Sequence, residues 1–204
     1  MDLIVIHGSP GNGKTTVSKK LHDILKSPWF EFGWIPEFTH LNPHTQILPK
    51  LEEQIAFENL VLVSKNYMRH GFENIIFSDL QDIRMLDIPV AFAGHSYVII
   101  TLYSESDDVI KERILTRDNG NDYSDFEESI RINKKIKNRK PLPNEYKIRS
   151  DNQTVDQIAA HILDILKTHK PAAGFASDEY SKDDYFTYFD ENGLYSSALK
   201  HEEN

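Results

Sequence analysis

Near its start the chain reads Gly8-Ser9-Pro10-Gly11-Asn12-Gly13-Lys14-Thr15. The spacing of its glycines, lysine and threonine matches that of a phosphate-binding loop. The apolar run Leu3-Ile4-Val5-Ile6 before it has the length of a strand, and the amphipathic stretch 15–26 after it has the length of a helix. Strand, glycine-rich loop and helix in this order are the arrangement that the motif requires. The segment therefore predicts a binding site for a nucleoside triphosphate.

The residues of this loop would contribute to binding in different ways. Glycines let backbone N–H groups turn towards a phosphate chain, and the N-terminus of the following helix adds roughly half a unit of positive charge. Lys14 can reach the β- and γ-phosphates, and the Thr15 hydroxyl can hold Mg²⁺. A glycine-rich turn can also join a strand to a helix for geometry alone, but the Lys-Thr pair favours binding. The expected nucleotide-binding residues are Gly8, Ser9, Pro10, Gly11, Asn12, Gly13, Lys14, Thr15 and Thr16.

Composition narrows the class of protein further. The chain has 204 residues, of which 39% are hydrophobic and 27% charged, as is typical of one globular domain with an appendage. The absence of cysteine excludes disulfides and cysteine metal sites and agrees with a cytoplasmic protein. No apolar run approaches the roughly 20 residues of a membrane span, and the N-terminus lacks the basic flank of a signal peptide. The net charge of −9 argues against a nucleic-acid partner.

Residues 171–204 differ from the rest of the chain. They contain eight acidic residues against two lysines, and seven aromatic residues. Disordered segments are poor in aromatics, so we expect this acidic tail to dock either on the body or on a second subunit, as a homodimer. The predicted domains are therefore a nucleotide-binding body of residues 1–170 and a tail of residues 171–204.

Apolar runs of strand length alternate along the body with amphipathic stretches of helix length. The predicted strands are 3–6, 32–35, 74–77, 97–102 and 146–148. The predicted helices are 15–26, 51–70, 107–117, 125–138 and one that begins at the capping box Thr154–Gln157, with a short helix near 83–86. Such alternation implies a parallel sheet with right-handed crossovers in a three-layer α/β domain.

Acidic residues follow two of the predicted strands. Asp79 follows the third strand, where a Mg²⁺-bound water needs an acceptor, and Asp82 competes for the same role. The alternative for Asp79 is a loop aspartate that caps the next segment. Glu37 follows the presumed second strand, where a carboxylate could take a proton from an attacking hydroxyl or hold that hydroxyl in line. Glu37 could equally be a solvated loop acid.

Two arginines lie on one face of the helix after the fourth strand. Arg113 and Arg117 are four residues apart and precede a turn-rich loop. Arginine offers planar, multidentate donors that stabilise charge on a moving phosphoryl group. A solvated helix face paired with neighbouring acids is the alternative. The next helix ends in a basic run from Arg131 to Lys140, a pattern typical of a solvated surface that could also attract phosphates.

Over residues 1–168 the chain resembles the P-loop small-molecule and nucleoside monophosphate kinase superfamily. The resemblance depends on the loop Gly8–Thr15, on Asp79, and on Arg113-x-x-x-Arg117. Shikimate and gluconate kinases look most similar in size and layout. The resemblance implies a five-stranded parallel sheet of order 2-3-1-4-5, a mobile helical lid at about 118–140, and an acceptor site between the second helix and the lid. Closure of that lid would exclude water.

The sequence also departs from subfamily patterns. The Asp-Gly-Phe-Pro-Arg signature of adenylate-type kinases is absent after the third strand, and so is the Asp-Arg pair of thymidylate-type kinases. Arg139-Lys140-Pro141-Leu142 is only loosely similar to the Arg-Pro-Leu-Leu of shikimate kinases. The acceptor motifs therefore match no subfamily, and the resemblance leaves the acceptor unnamed.

The leading hypothesis is an enzyme that transfers the γ-phosphoryl of ATP to a small-molecule acceptor with Mg²⁺ as cofactor. The predicted catalytic residues are Lys14, Glu37, Asp79, Arg113 and Arg117, and the predicted Mg²⁺ residues are Thr15 and Asp79. A hydroxyl acceptor would need Glu37 as a base, whereas a nucleoside monophosphate would not. The alternatives are a nucleoside monophosphate kinase and a regulatory nucleotide-binding module without an acceptor. The charge of −9 disfavours a polynucleotide end kinase.

Overall fold

A computed structural model describes residues 1–35, 49–82, 84–117 and 122–170. It contains five strands: β1 (Leu3–His7), β2 (Trp29–Glu31), β3 (Ile75–Ser78), β4 (Tyr97–Tyr103) and β5 (Glu145–Arg149). All pair in parallel in the order β2-β3-β1-β4-β5, which confirms the predicted sheet. Its helices are α1 (Lys14–Leu25), α2 (Pro49–Arg69), α3 (Arg84–Ala91), α4 (Asp107–Leu115), α5 (Phe126–Asn138) and α6 (Val155–Thr168).

The sheet separates two hydrophobic cores. Alternate residues of β1 point to opposite sides, and both sides are fully buried, which explains the unbroken apolar run of that strand. Leu3 and Val5 pack with side chains of α2 and α3, whereas Ile4 and Ile6 pack with side chains of α1 and α6. The result is the predicted three-layer domain. Within the described ranges, no helix is long and apolar enough to cross a lipid bilayer.

The second strand lies three residues earlier than the sequence predicts. The prediction of a strand over 32–35 is wrong, because β2 is Trp29–Glu31 and Phe32–Trp34 form a single turn of 3₁₀ helix. The Trp29 side chain holds the strand in place: its ring packs against that of Trp34, and its Nε1 donates to Ser78 Oγ at 2.9 Å. The acidic residue at the end of β2 is consequently Glu31.

Glycine is required where β1 leaves the sheet. Gly8 has φ +142°, and a Cβ atom there would lie 2.4 Å from the backbone oxygen of Leu102 in β4. Gly71, at the end of α2, also has positive φ (+84°), but a Cβ there would meet nothing within 4 Å. A larger residue at Gly71 therefore meets only the cost of positive φ, whereas one at Gly8 also meets the cost of close backbone packing.

We expect Gly8→Ala to destabilise the protein much more than Gly71→Ala. The Gly71 substitution meets only the left-handed conformation, which costs about 1–2 kcal/mol. The Gly8 substitution must also push β1 away from the β4 backbone. Urea unfolding followed by circular dichroism measures both changes. Equal losses of unfolding free energy would show that the approach of Gly8 to Leu102 is not a constraint.

Candidate active site

The carboxyl ends of the strands meet at one edge of the sheet, where β1 continues through residues 8–13 into α1. Gly11 and Gly13 have φ values of +86° and +84°, the left-handed region that glycine adopts without strain. Gly13 is the N-cap of α1 and contributes no side-chain hydrogen bond, so the first amides of that helix are not capped by a side chain. Uncapped amides with the helix dipole behind them form an anion-binding end.

Lys14 and Asp79 lie together beside this loop, so the structure brings together two of the predicted site residues. Lys14 Nζ lies 3.3 Å from Asp79 Oδ1. Asp79 directly follows β3 and has φ +65°, a conformation that aspartate tolerates better than most residues. Its side chain is 57% exposed, whereas that of Lys14 is 8% exposed. The carboxylate is therefore open to solvent at this edge of the sheet, next to the loop, which we call the crevice.

Glu31 is a site residue that the sequence analysis missed. The Thr15 hydroxyl donates to Glu31 Oε1, and Ser78 Oγ donates to the same oxygen at 3.4 Å. The sequence predicts the second strand later in the chain, and therefore places Glu37 at its end. Glu37 itself lies outside the described residues, so its role stays a prediction. The adjacent aromatics Trp29 and Phe30 are the signal that could have located the strand correctly.

Asn12 bonds within the phosphate loop and holds the tip of that loop to α5 and to the end of β5. Its Nδ2 donates to Ser9 Oγ at 2.8 Å and to Asn133 Oδ1 of α5 at 3.0 Å, and its Oδ1 accepts from Ser150 Oγ at 3.2 Å. Asn133 is itself fixed by the backbone of Ser104, which donates to its Oδ1 and accepts from its Nδ2. All of these residues are buried, so a lost bond would leave an unsatisfied polar group.

The two predicted arginines have different partners. Arg113 Nη1 donates to the backbone oxygen of Gly11 at 3.3 Å, and its Nη2 donates to that of Ser150 at 3.0 Å. These bonds support the phosphate loop from the side of α4. Arg117 donates to the backbone oxygen of Tyr123 and lies 5.5 Å from the centre of that ring. Stabilisation of a transferred phosphoryl group by either arginine stays a prediction.

Helix α5, which the sequence places in the predicted lid, packs against the body. It buries Asn133 and Ile136, and it forms ion pairs from Lys134 to Asp107 at 2.6 Å and from Lys137 to Glu105 at 2.9 Å. The basic run is thus partly neutralised by acids of the preceding segment. The turn-rich part of the lid, 118–121, and the tail, 171–204, lie outside the described residues. Lid closure and docking of the tail stay predictions.

Comparison with known proteins finds likeness in structure alone. No family model and no curated protein matches the chain in sequence. A sugar kinase from Janibacter sp. HTCC2649 matches 85% of this chain and 97% of its own, with 19% identity and a TM-score of 0.57. A gluconokinase from Sinorhizobium meliloti 1021 matches 81% and 97%, with 15% identity and a TM-score of 0.55.

A third solved structure, shikimate kinase from Acinetobacter baumannii in complex with shikimate, matches 82% of this chain and 94% of its own. Its identity is 18% and its TM-score 0.51. The chain has a P-loop kinase fold. At these identities the likeness establishes the fold, including its strand order, and does not establish an activity.

We expect Asn133→Ala to weaken ATP binding. The substitution removes the Asn133–Asn12 bond, so the loop loses one of the contacts that hold its amides in place, and we expect a rise in the ATP dissociation constant of about tenfold. Isothermal titration with ATP and Mg²⁺ measures this.

Ile136→Ala is the matched control for that prediction. Ile136 lies one turn further along α5 and is buried, but it has no polar contact with the loop. The two variants should lose comparable unfolding free energy while only Asn133→Ala loses affinity. A similar loss of affinity in both would assign the effect to general loosening of α5.

Proposed function

We propose that this chain transfers the γ-phosphoryl group of ATP to a hydroxyl of a small-molecule acceptor. The observation that carries the proposal is the pairing of two loop side chains with two strand-end carboxylates. Lys14 faces Asp79, and the Thr15 hydroxyl is bonded to Glu31. This places a cation, a hydroxyl and two acids around the end of an uncapped helix. The sugar, gluconate and shikimate kinases that share the fold support a small-molecule acceptor.

The donor set also fits Mg²⁺. Thr15, Glu31 and Asp79 offer a hydroxyl and two carboxylates, the oxygen donors that this ion prefers. The described ranges contain no cluster of three or more histidine and acidic side chains that would form a metal site without a nucleotide. Mg²⁺ in nucleotide sites is usually held by one or two protein carboxylates together with the phosphates. When bound, the ion would neutralise charge on the β- and γ-phosphates.

Different residues of the chain then have different roles in phosphoryl transfer. The amides at the start of α1 and Lys14 bind the phosphates, so Lys14 exchanges Asp79 for a phosphate oxygen. The acceptor oxygen forms a bond to the γ-phosphorus as the bond to the β–γ bridging oxygen breaks, and ADP leaves. The hydroxyl proton passes to a carboxylate, for which Glu37 is our candidate. Asp79 and Glu31 would instead help to hold Mg²⁺.

Lys14→Ala should nearly abolish turnover while the fold persists. Lys14 serves charge that develops in the transition state, and the loss of such a contact costs on the order of 10²-fold or more in rate. The assay is ADP release from ATP and Mg²⁺ with a panel of acceptors, and circular dichroism checks the fold. Wild-type turnover in this variant would refute the assignment of the loop. Lys14-dependent ATP binding without stimulation by any acceptor would instead favour a regulatory module.

Glu31→Gln and Glu37→Gln should differ in their response to Mg²⁺. If Glu31 supports the ion, its substitution lowers ATP affinity roughly 10–100-fold with Mg²⁺ and leaves affinity in EDTA unchanged. If Glu37 is the base, its substitution lowers kcat roughly 10²–10⁴-fold with little change in ATP affinity. Titration and initial rates separate the two. A drop in kcat for Glu31→Gln, with Glu37→Gln silent, would exchange the roles. A raised acceptor KM alone for Glu37→Gln would favour a nucleotide acceptor.

A further inference from the structure

A buried network of charged groups lies next to the phosphate loop. Arg139 and Glu145 have fully buried side chains, and that of His7 is 2% exposed. Buried charges are costly unless they are paired and hydrogen-bonded. Such a network at the carboxyl edge of a parallel sheet, where ligands bind, calls for a functional explanation.

The cations of this network are already engaged. Arg139 donates to both oxygens of Glu145, at 2.5 and 2.7 Å, and Glu145 also accepts from the hydroxyl of Thr101 and the backbone N–H of Leu142. Burial alone would raise the pKa of Glu145, but Arg139, together with the hydrogen bonds from Thr101 and Leu142, lowers that pKa overall. Arg139 therefore stays with Glu145 and has no surface on which to meet a ligand.

Lys147 is similarly engaged. Its Nζ donates to the backbone oxygens of Ile136 at 2.6 Å and Lys137 at 3.1 Å, and to that of Arg139. It thereby caps the carbonyls at the end of α5, as cations at helix C-termini commonly do. Burial, followed by the charge of Arg139, lowers its pKa. Lys147, the second cation of the network, thus stabilises the end of α5.

Asp82 is where the network reaches the surface, with 21% of its side chain exposed. His7 Nε2 lies 2.9 Å and Arg139 Nη2 lies 3.4 Å from Asp82, and both contacts fall on Oδ1. Oδ2 accepts no hydrogen bond from the residues that the structure describes. Burial alone would raise the pKa of Asp82, but His7 and Arg139 lower it, so the carboxylate stays ionised. Among the described residues, the structure therefore offers this oriented, charged oxygen no hydrogen-bond donor.

The position of Asp82 connects it to the transfer site. His7, its partner, directly precedes Gly8 of the phosphate loop, and Asp79, three residues earlier in the same connection, faces Lys14. Asp82 therefore lies on the β3 side of the crevice next to the loop.

We propose that Asp82 forms an acceptor subsite, in which Oδ2 accepts a hydrogen bond from a second hydroxyl of an uncharged polyhydroxyl compound. A carboxylate or phosphate there would face a fixed negative charge, while the cations of the network, Arg139 and Lys147, already have partners within the fold. The inference rests on the proposed function and adds the chemical class of the acceptor.

The first test uses the wild-type chain. ADP release is measured with ATP, Mg²⁺ and two sets of acceptors: D-glucose, D-ribose, myo-inositol and glycerol as neutral compounds, and gluconate, shikimate and AMP as anionic ones. We expect a neutral compound to give at least a tenfold higher kcat/KM than any anionic one. A better anionic acceptor overturns the inference and leaves the kinase proposal intact. Turnover that no compound stimulates overturns both.

The second test uses Asp82→Asn with the best neutral acceptor. Loss of a hydrogen bond to a charged group should raise the acceptor KM about 10–100-fold and leave the ATP KM within about twofold. Because the fixed negative charge is gone, activity with gluconate relative to the neutral acceptor should rise. A purely structural role for Asp82 would not shift this ratio, so an unchanged ratio and an unchanged acceptor KM overturn the inference.

Thr101→Val is the matched control for that variant. It removes the hydroxyl bond to Glu145 within the same network, but Thr101 is fully buried and does not reach the crevice. We expect a lower urea midpoint with unchanged KM values for both substrates. A raised acceptor KM in Thr101→Val as large as that in Asp82→Asn would assign the effect to the network as a whole and overturn the subsite.

Discussion

The rest of the structure depends on the central place of β1 between β3 and β4. Both neighbours pair with it in parallel, so three strand ends and the loop after β1 must share one edge of the sheet. Gly8 lets the chain leave that edge beside the β4 backbone. Strand order alone therefore brings three features together at this edge: the uncapped start of α1, the acid at the end of β2 and the acid after β3.

The loop is held by other elements as well as by its own bond between Asn12 and Ser9. Arg113 bonds the backbone of Gly11 from α4, while Asn133 and Ser150 bond the side chain of Asn12 from α5 and from the end of β5. Because glycines have wide conformational freedom, a loop of this composition gains a single shape only through such contacts. Preorganised amides cost little reorganisation when charge develops, which is the condition for electrostatic catalysis.

Local pattern predicts the buried strands and the glycine-rich connection from β1 to α1, because unbroken apolar runs and glycine spacing are local features, whereas the sheet order follows from the resemblance to P-loop kinases. The sequence misplaces β2, because a three-residue strand carries almost no periodicity and is held by tertiary contacts such as those of Trp29 with Ser78 and Trp34. It could not identify the network of Asp82, Arg139 and Glu145 either. In the sequence, Asp82 lies 57 positions and Glu145 lies 6 positions from Arg139, and the three side chains meet only in the tertiary fold.

Two ion pairs near the crevice differ in how easily a ligand can replace one of the partners. The pair of Lys14 and Asp79 is open to solvent through an acid that is 57% exposed, and pairs of this kind contribute about 0–1 kcal/mol. A phosphate can replace Asp79 at little cost. The pair of Arg139 and Glu145 is closed to solvent, and breaking it would leave an uncompensated buried charge. Of these two cations, Lys14 is the one that can change its partner, and we propose that it binds the nucleotide. On the acceptor side, the proposed subsite is the Asp82 carboxylate, which would accept hydrogen bonds from donor groups.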